Sequence, residues 1–138
     1  MQYHLCFDYD IKSQTIKAFE KIKELVRTTG QTNVAIYVSQ EKTFCPENFE
    51  EKDKEWMDKL KKEFHLKFSN LELFLITETR LRMMNNSGFP GGIALFFNKP
   101  DFVASEIAKG KISDSVYVPC YMNEEKEYLK IFSSSVKI

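Results

Sequence analysis

Leu71-Glu72-Leu73-Phe74-Leu75-Ile76-Thr77 and Gly92-Ile93-Ala94-Leu95-Phe96-Phe97-Asn98 decide the fold. Each is a short run of branched and aromatic residues that stops at polar ones. A strand covered on both faces has that composition, because neither side of its pleat meets water. Between the runs lie Arg80, Arg82, an Asn85-Asn86-Ser87-Gly88 turn and a Pro90-Gly91-Gly92 hinge. This link is long enough for a short helix around residues 81–85, which makes the two strands parallel. Its glycines and proline also suit a long hairpin, which makes them antiparallel. The parallel version is the working expectation.

The rest of the chain alternates in the same manner. Residues 3–9 read as a first strand. Ser13 caps a helix over residues 13–29, whose Ile16, Phe19, Ile22, Leu25 and Val26 recur at three and four, with Gly30 as its stop. Val34-Ala35-Ile36-Tyr37-Val38 is the second strand. Pro46 opens a second helix carrying Phe49, Trp56, Met57, Leu60 and Phe64 on one side. Lys99-Pro100-Asp101 opens a third, and Ser115-Val116-Tyr117-Val118-Pro119-Cys120 is the fifth strand. Asn123-Glu124-Glu125 starts a last helix, with acids where its dipole favours them. The Ser133-Ser134-Ser135 tail is expected to fray.

Alternating strands and helices imply a mostly parallel sheet between two helix layers. The expected fold is therefore α/β: one domain over residues 1–138, a three-layer sandwich of about five mostly parallel strands. The arrangement is flavodoxin-like or Rossmann-like, parallel except at one edge or in an antiparallel hairpin between the third and fourth strands. Phe7, Ile22, Ile36, Phe74, Ile76, Leu95, Phe96 and Val118 are its expected core.

The totals exclude several functions. Twenty basic and twenty acidic residues leave no net charge, and the long charged stretch over residues 50–63 alternates in sign. Nucleic-acid binders carry a basic excess or stripe, so nucleic acid is disfavoured as a partner. Zero net charge also removes a barrier to self-association, and Met83, Met84 and Phe89 put apolar side chains in a turn-rich link. A homo-oligomer or a protein partner is expected. Cys6, Cys45 and Cys120 are odd in number and widely spaced; with only His4 and His65 beside them they make no zinc signature. No signal peptide opens the chain, and no apolar run reaches the ~20 residues of a membrane span. These features point to a reduced, cytoplasmic location and no membrane.

In open sheets of this kind ligands bind outside the carboxyl ends of the strands, where the strand order reverses. The rule selects Asp8, Asp10, Ser39, Gln40, Thr77, Glu78, Arg80, Asn98, Lys99, Pro119 and Cys120. Of these, Asp8, Asp10, Thr77 and Glu78, with Asn86, Ser87 and Gly88 of the link, are the candidate ligand-binding residues. The function expected is a non-catalytic binding or interaction module with no cofactor and no metal. Its alternative is a magnesium-dependent phosphoryl-group enzyme or nucleotide binder using the first strand's acidic pair, in which Asp8 and Asp10 must meet Thr77 and Glu78. Asp8-Tyr9-Asp10 resembles the Asp-x-Asp of haloacid-dehalogenase phosphatases, and Thr77 resembles that family's later Thr or Ser. The chain departs from the pattern at Lys12 and at Pro119-Cys120. Lys99-Pro100 resembles the Lys-Pro of two-component receiver domains, but another strand and helix follow it.

Overall fold

The computed structural model describes residues 1–68, 70–83 and 89–138. In chain order the elements are β1 (Gln2–His4), α1 (Ile11–Thr29), β2 (Asn33–Val38), α2 (Glu51–Glu63), β3 (His65–Lys67), β4 (Glu72–Thr77), α3 (Glu78–Met83), β5 (Gly92–Phe96), α4 (Pro100–Ala108), β6 (Ile112–Tyr117), α5 (Met122–Ile131) and β7 (Val136–Lys137). The strands form one sheet in the order β3-β4-β2-β5-β6-β1-β7. Every neighbouring pair is parallel except β3 with β4.

The two decisive runs do not pair with each other. Both flank β2, whose Val34 sits opposite Leu73 on one side and Ile93 on the other. The link between them is therefore a parallel crossover, and the hairpin allowed there is not formed. The antiparallel pair lies earlier, where His65 stands opposite Phe74. β3 escaped the sequence reading because its three residues are His-Leu-Lys on an exposed edge, without the apolar content of the central strands.

Side-chain alternation sorts the core into two layers. Val34, Ile36, Val38, Leu73, Leu75, Ile93, Leu95 and Val116 face α1 and α2 together with Phe44 and Phe49. Ala35, Tyr37, Ile76, Ala94, Phe96 and Tyr117 face the other way, toward Val103 of α4 and Tyr128 of α5. Crossovers that move toward β4 carry helices on the first face; those that move toward β7 carry them on the second. All crossovers thus share one hand, as packing of twisted strands requires. Counting from β2, the parallel strands run 2-1-3-4 in space, and β1 takes the fifth position. That is the flavodoxin-like order 2-1-3-4-5 with its last strand supplied by the beginning of the chain, and it is not the Rossmann order.

Several local expectations change. Asp10, not Ser13, caps α1: its Oδ1 accepts the Ser13 N–H at 3.1 Å, so the helix begins at Ile11. Pro46 starts a single 3-10 turn (Pro46–Asn48), and α2 begins only at Glu51. The fifth predicted strand lies earlier, at Ile112–Tyr117, because its backbone pairs with β5 and β1 over that span. Ile22, Ile36, Ile76, Leu95, Phe96 and Val118 are buried as expected. Phe7 and Phe74 are only half-buried, Phe7 because the strand ends before it and Phe74 because it faces the edge strand. The serine tail is held. Ser135 Oγ lies 2.9 Å from His4 Nδ1 and 3.1 Å from the Tyr128 hydroxyl, and it donates to the Gln2 carbonyl at 3.2 Å. This leads straight into β7, which adds a parallel partner to β1.

Candidate functional site

Neighbouring strands send their chains to opposite faces of the sheet around β2, whose α2 lies on the face opposite α3 and α4, and again between β1 and β6. One such place lies between β2, which leads to α2, and β5, which leads to α4. Another lies between β1, which leads to α1, and β6, which leads to α5. Each is a crevice of the type that binds ligands in open α/β sheets.

The β1/β6 crevice is closed by its own side chains. Buried Gln14 donates its amide to the carbonyls of Cys6 (3.0 Å) and Pro119 (3.4 Å), bridging the two strand ends. Glu124 Oε1 accepts the N–H groups of Cys120 at 2.9 Å and Tyr121 at 3.3 Å. Glu125 Oε1 accepts the Phe7 N–H at 2.6 Å. Asp8 Oδ1 accepts the Asp10 N–H at 2.9 Å, and Asp10 caps α1. These carboxylates satisfy backbone donors that a ligand would otherwise meet. Cys120 is held as a thiol: burial first, and then the Glu124 carboxylate, push its pKa up to about 11, and its Sγ donates to the Phe97 carbonyl at 3.3 Å. A thiol so held is a poor nucleophile.

The β2/β5 crevice, with the end of β4 beside it, is built differently. Thr77 is buried, and its Oγ1 accepts the Arg80 N–H at 3.0 Å, which starts α3. Glu78 reaches across the strand ends, where its Oε2 accepts from the side-chain amide of Asn98 at 2.9 Å. Asn98 is 2 % exposed just past the end of β5, and its Oδ1 is buried with no hydrogen-bond partner among the described residues. Buried polar atoms of this kind are rare enough in folded proteins to require a reason. Beside them runs an open groove of about 510 Å³, lined by Gln40, Lys42, Phe64, Thr77, Arg80 and Met83 among others. The Arg80 guanidinium lies 4.4 Å from the centre of the Phe64 ring. Among the described residues neither Arg80, Lys42 nor Lys99 has a carboxylate partner.

The sequence-based candidates therefore divide. Thr77 and Glu78 stand together at the second crevice. Asp8 and Asp10 stand at the first, four strands away, which at the spacing of a sheet is about 19 Å. The convergence required by a magnesium-dependent phosphoryl site is absent, because β1 occupies the far side of the sheet. Asn86, Ser87 and Gly88 lie outside the described residues. Among the described residues no three His, Cys, Asp or Glu side chains gather as metal ligands. Gln14, Glu124 and Glu125 escaped the sequence reading, since a helix N-terminus written Asn-Glu-Glu is accounted for by dipole compensation alone. Comparison with protein-family models, with curated proteins and with solved structures finds no match to this chain.

Proposed function

We propose that the chain is a non-catalytic binding module whose ligand is a small anion-bearing molecule held where β4, β2 and β5 end. One observation carries the reading. The open groove at this crevice is edged by Lys42 and Arg80, neither of which has an ion-pair partner among the described residues although Glu41 lines the groove too, and the guanidinium of Arg80 lies over the Phe64 ring. An unpaired guanidinium stacked on an aromatic ring offers its remaining donors to an incoming carboxylate or phosphate. Glu78 is already engaged by Asn98, so it repels such a group less than a free carboxylate would. Among the described residues no nucleophile with an adjacent base supports catalysis here: Cys120 lies in the other crevice, and His65 is paired with Glu72 on the edge strand.

The test is a titration with inorganic phosphate and then AMP, each with and without magnesium, followed by backbone amide shifts. Saturable shifts at Gln40, Lys42, Thr79, Arg80 and Asn98 are expected, unchanged by magnesium and lost in Arg80→Ala. No shifts at millimolar ligand, or shifts centred on Asp8, Asp10 and Cys120, overturn the reading.

A second reading has its own support. Tyr9, Tyr121 and Met122 are 78, 66 and 62 % exposed around the closed β1/β6 crevice. Apolar side chains gathered there, on a chain of zero net charge, fit self-association with a second copy. Light scattering that gives the monomer mass at high micromolar concentration rejects it. We also infer a reducing, cytoplasmic location from three cysteines that are all unpaired. Among the described residues no helix is long and apolar enough to cross a membrane.

A further inference from the structure

Away from both crevices, a cavity of about 300 Å³ opens on the second face of the sheet, between α3 and the end of α4. Its walls include Leu81, Phe89, Ile112 and the ring of Tyr37. Glu106 projects into it from α4 and is 4 % exposed, while Tyr37 is 2 % exposed. Lys109 and Lys111 stand at its edge.

The charges settle what kind of molecule fits. Glu106 is neutralised by Lys109, whose Nζ lies 2.6 Å from its Oε2. It therefore has no call on a ligand cation. Lys111 has no ion-pair partner among the described residues. What remains is a space walled on one side by Leu81, Phe89 and Ile112 and on another by the Lys109-paired Glu106, with one ammonium, that of Lys111, unpaired among the described residues. We propose that this cavity binds a small apolar carboxylate, of the arylalkanoate or branched aliphatic kind, separately from the ligand of the β2/β5 crevice. The hydrocarbon lies against Leu81, Phe89 and Ile112, and the carboxylate meets Lys111.

The size agrees. An apolar cavity of about 150 Å³ holds one benzene ring, and ligand pockets begin near 300 Å³, so a single ring with a short acid chain matches this volume. A phosphate ester fits less well, since it needs several donors and among the described residues the cavity offers one free cation. Lys111 is also well placed structurally. Its carbonyl accepts the Gly92 N–H at 3.0 Å, which fixes its backbone at the start of β6 while its side chain stays exposed.

3-Phenylpropionate is the probe, and its neutral amide is the control. Saturable amide shifts at Tyr37, Leu81, Glu106 and Ile112 are expected with the acid. Lys111→Met, a surface change that leaves the core intact, is expected to weaken the acid about tenfold, the loss typical of one charge-assisted contact, and to leave the amide unaffected. Arg80→Ala is expected to change neither. Three results overturn the proposal: no shifts at these residues with millimolar acid, equal binding of acid and amide, or shifts confined to Thr77, Arg80 and Asn98. The last would assign the acid to the β2/β5 crevice, whereas failure of phosphate and AMP there leaves this cavity standing.

Discussion

The Asn98 side-chain amide donates to Glu78 Oε2 across 2.9 Å, so the end of β5 is tied to the first residue of α3. Asn98→Asp replaces that donor with a second carboxylate in a buried place. It is expected to cost about 2–3 kcal/mol at neutral pH. Urea denaturation of the variant beside the parent chain checks the loss.

The core prediction contrasts two strand residues. Leu95 is fully buried between layers, and Leu95→Ala is expected to cost about 3–4 kcal/mol. Phe74 is half-buried between the His65 ring, 4.7 Å away, and the Phe89 ring, 5.5 Å away. Phe74→Ala is expected to cost about 2 kcal/mol, less than a fully buried ring. Denaturant midpoints at equal slope would show the ranking, and a larger loss at Phe74 would contradict the layer assignment.

Two glycines should respond unequally to alanine. At Gly92, with φ +143°, an added Cβ would lie 2.4 Å from the Asn33 carbonyl oxygen of the neighbouring strand. Gly92→Ala must push β5 away from β2, and it is expected to cost at least about 3 kcal/mol. Gly30 closes α1 at φ +76° with open space around it, so Gly30→Ala is expected to cost only about 1 kcal/mol of left-handed strain. Thermal melting of the two variants side by side tests the difference.

Acid should weaken the protein through His4. Burial lowers its pKa below the ordinary 6.5, with Lys137 adding to the effect and Glu125 opposing it. The unfolded chain therefore binds this proton more readily than the folded one. Stability is expected to be intact above pH near 6.5 and to decline as the pH falls from there through the lowered folded value. His4→Gln should flatten that part of the profile. A midpoint that does not move between pH 7.5 and 5.5, roughly the range in which histidines titrate, would disprove the assignment.

Cys120 should be the slow thiol. With its pKa near 11 and its Sγ donating to a carbonyl, it is expected to resist iodoacetamide at mildly alkaline pH until urea unfolds the chain. Mass-resolved labelling of the three cysteines provides the check, and rapid native labelling at Cys120 would count against the closed crevice.

Much of the architecture was legible because buried parallel strands cannot be written in other residues. Val34 to Val38, Leu73 to Ile76 and Ile93 to Phe96 announced themselves through apolar content. β3 and β7 did not, since an edge strand of two or three residues is held by its neighbour's backbone and needs no apolar signature. The site was half legible. Thr77 and Glu78 followed from the end of a clear strand, as did the strand-end position of Asn98. Asp8 and Asp10 drew attention as a paired acid motif, yet their distance from Thr77 depends on strand order, which side-chain periodicity does not encode. The Tyr37 and Glu106 cavity gave no local signal either, because it arises from β2 and α4, which lie two full crossovers apart in the chain.

The position of β1 has a bearing on how the chain acquires its structure. Gln2 pairs with Ser115 and Tyr3 with Val136, so both neighbours of the first strand are made more than a hundred residues after it. During synthesis β4, β5 and β6 can each add to a strand already present, β4 and β5 to β2 and β6 to β5. β1 has no backbone partner until β6 emerges, and its apolar Tyr3 and Leu5 stay unpaired meanwhile. A strand made before β2, β4, β5 and β6 is thus among the last to be locked, and the long loop that must close to pair it is expected to slow folding.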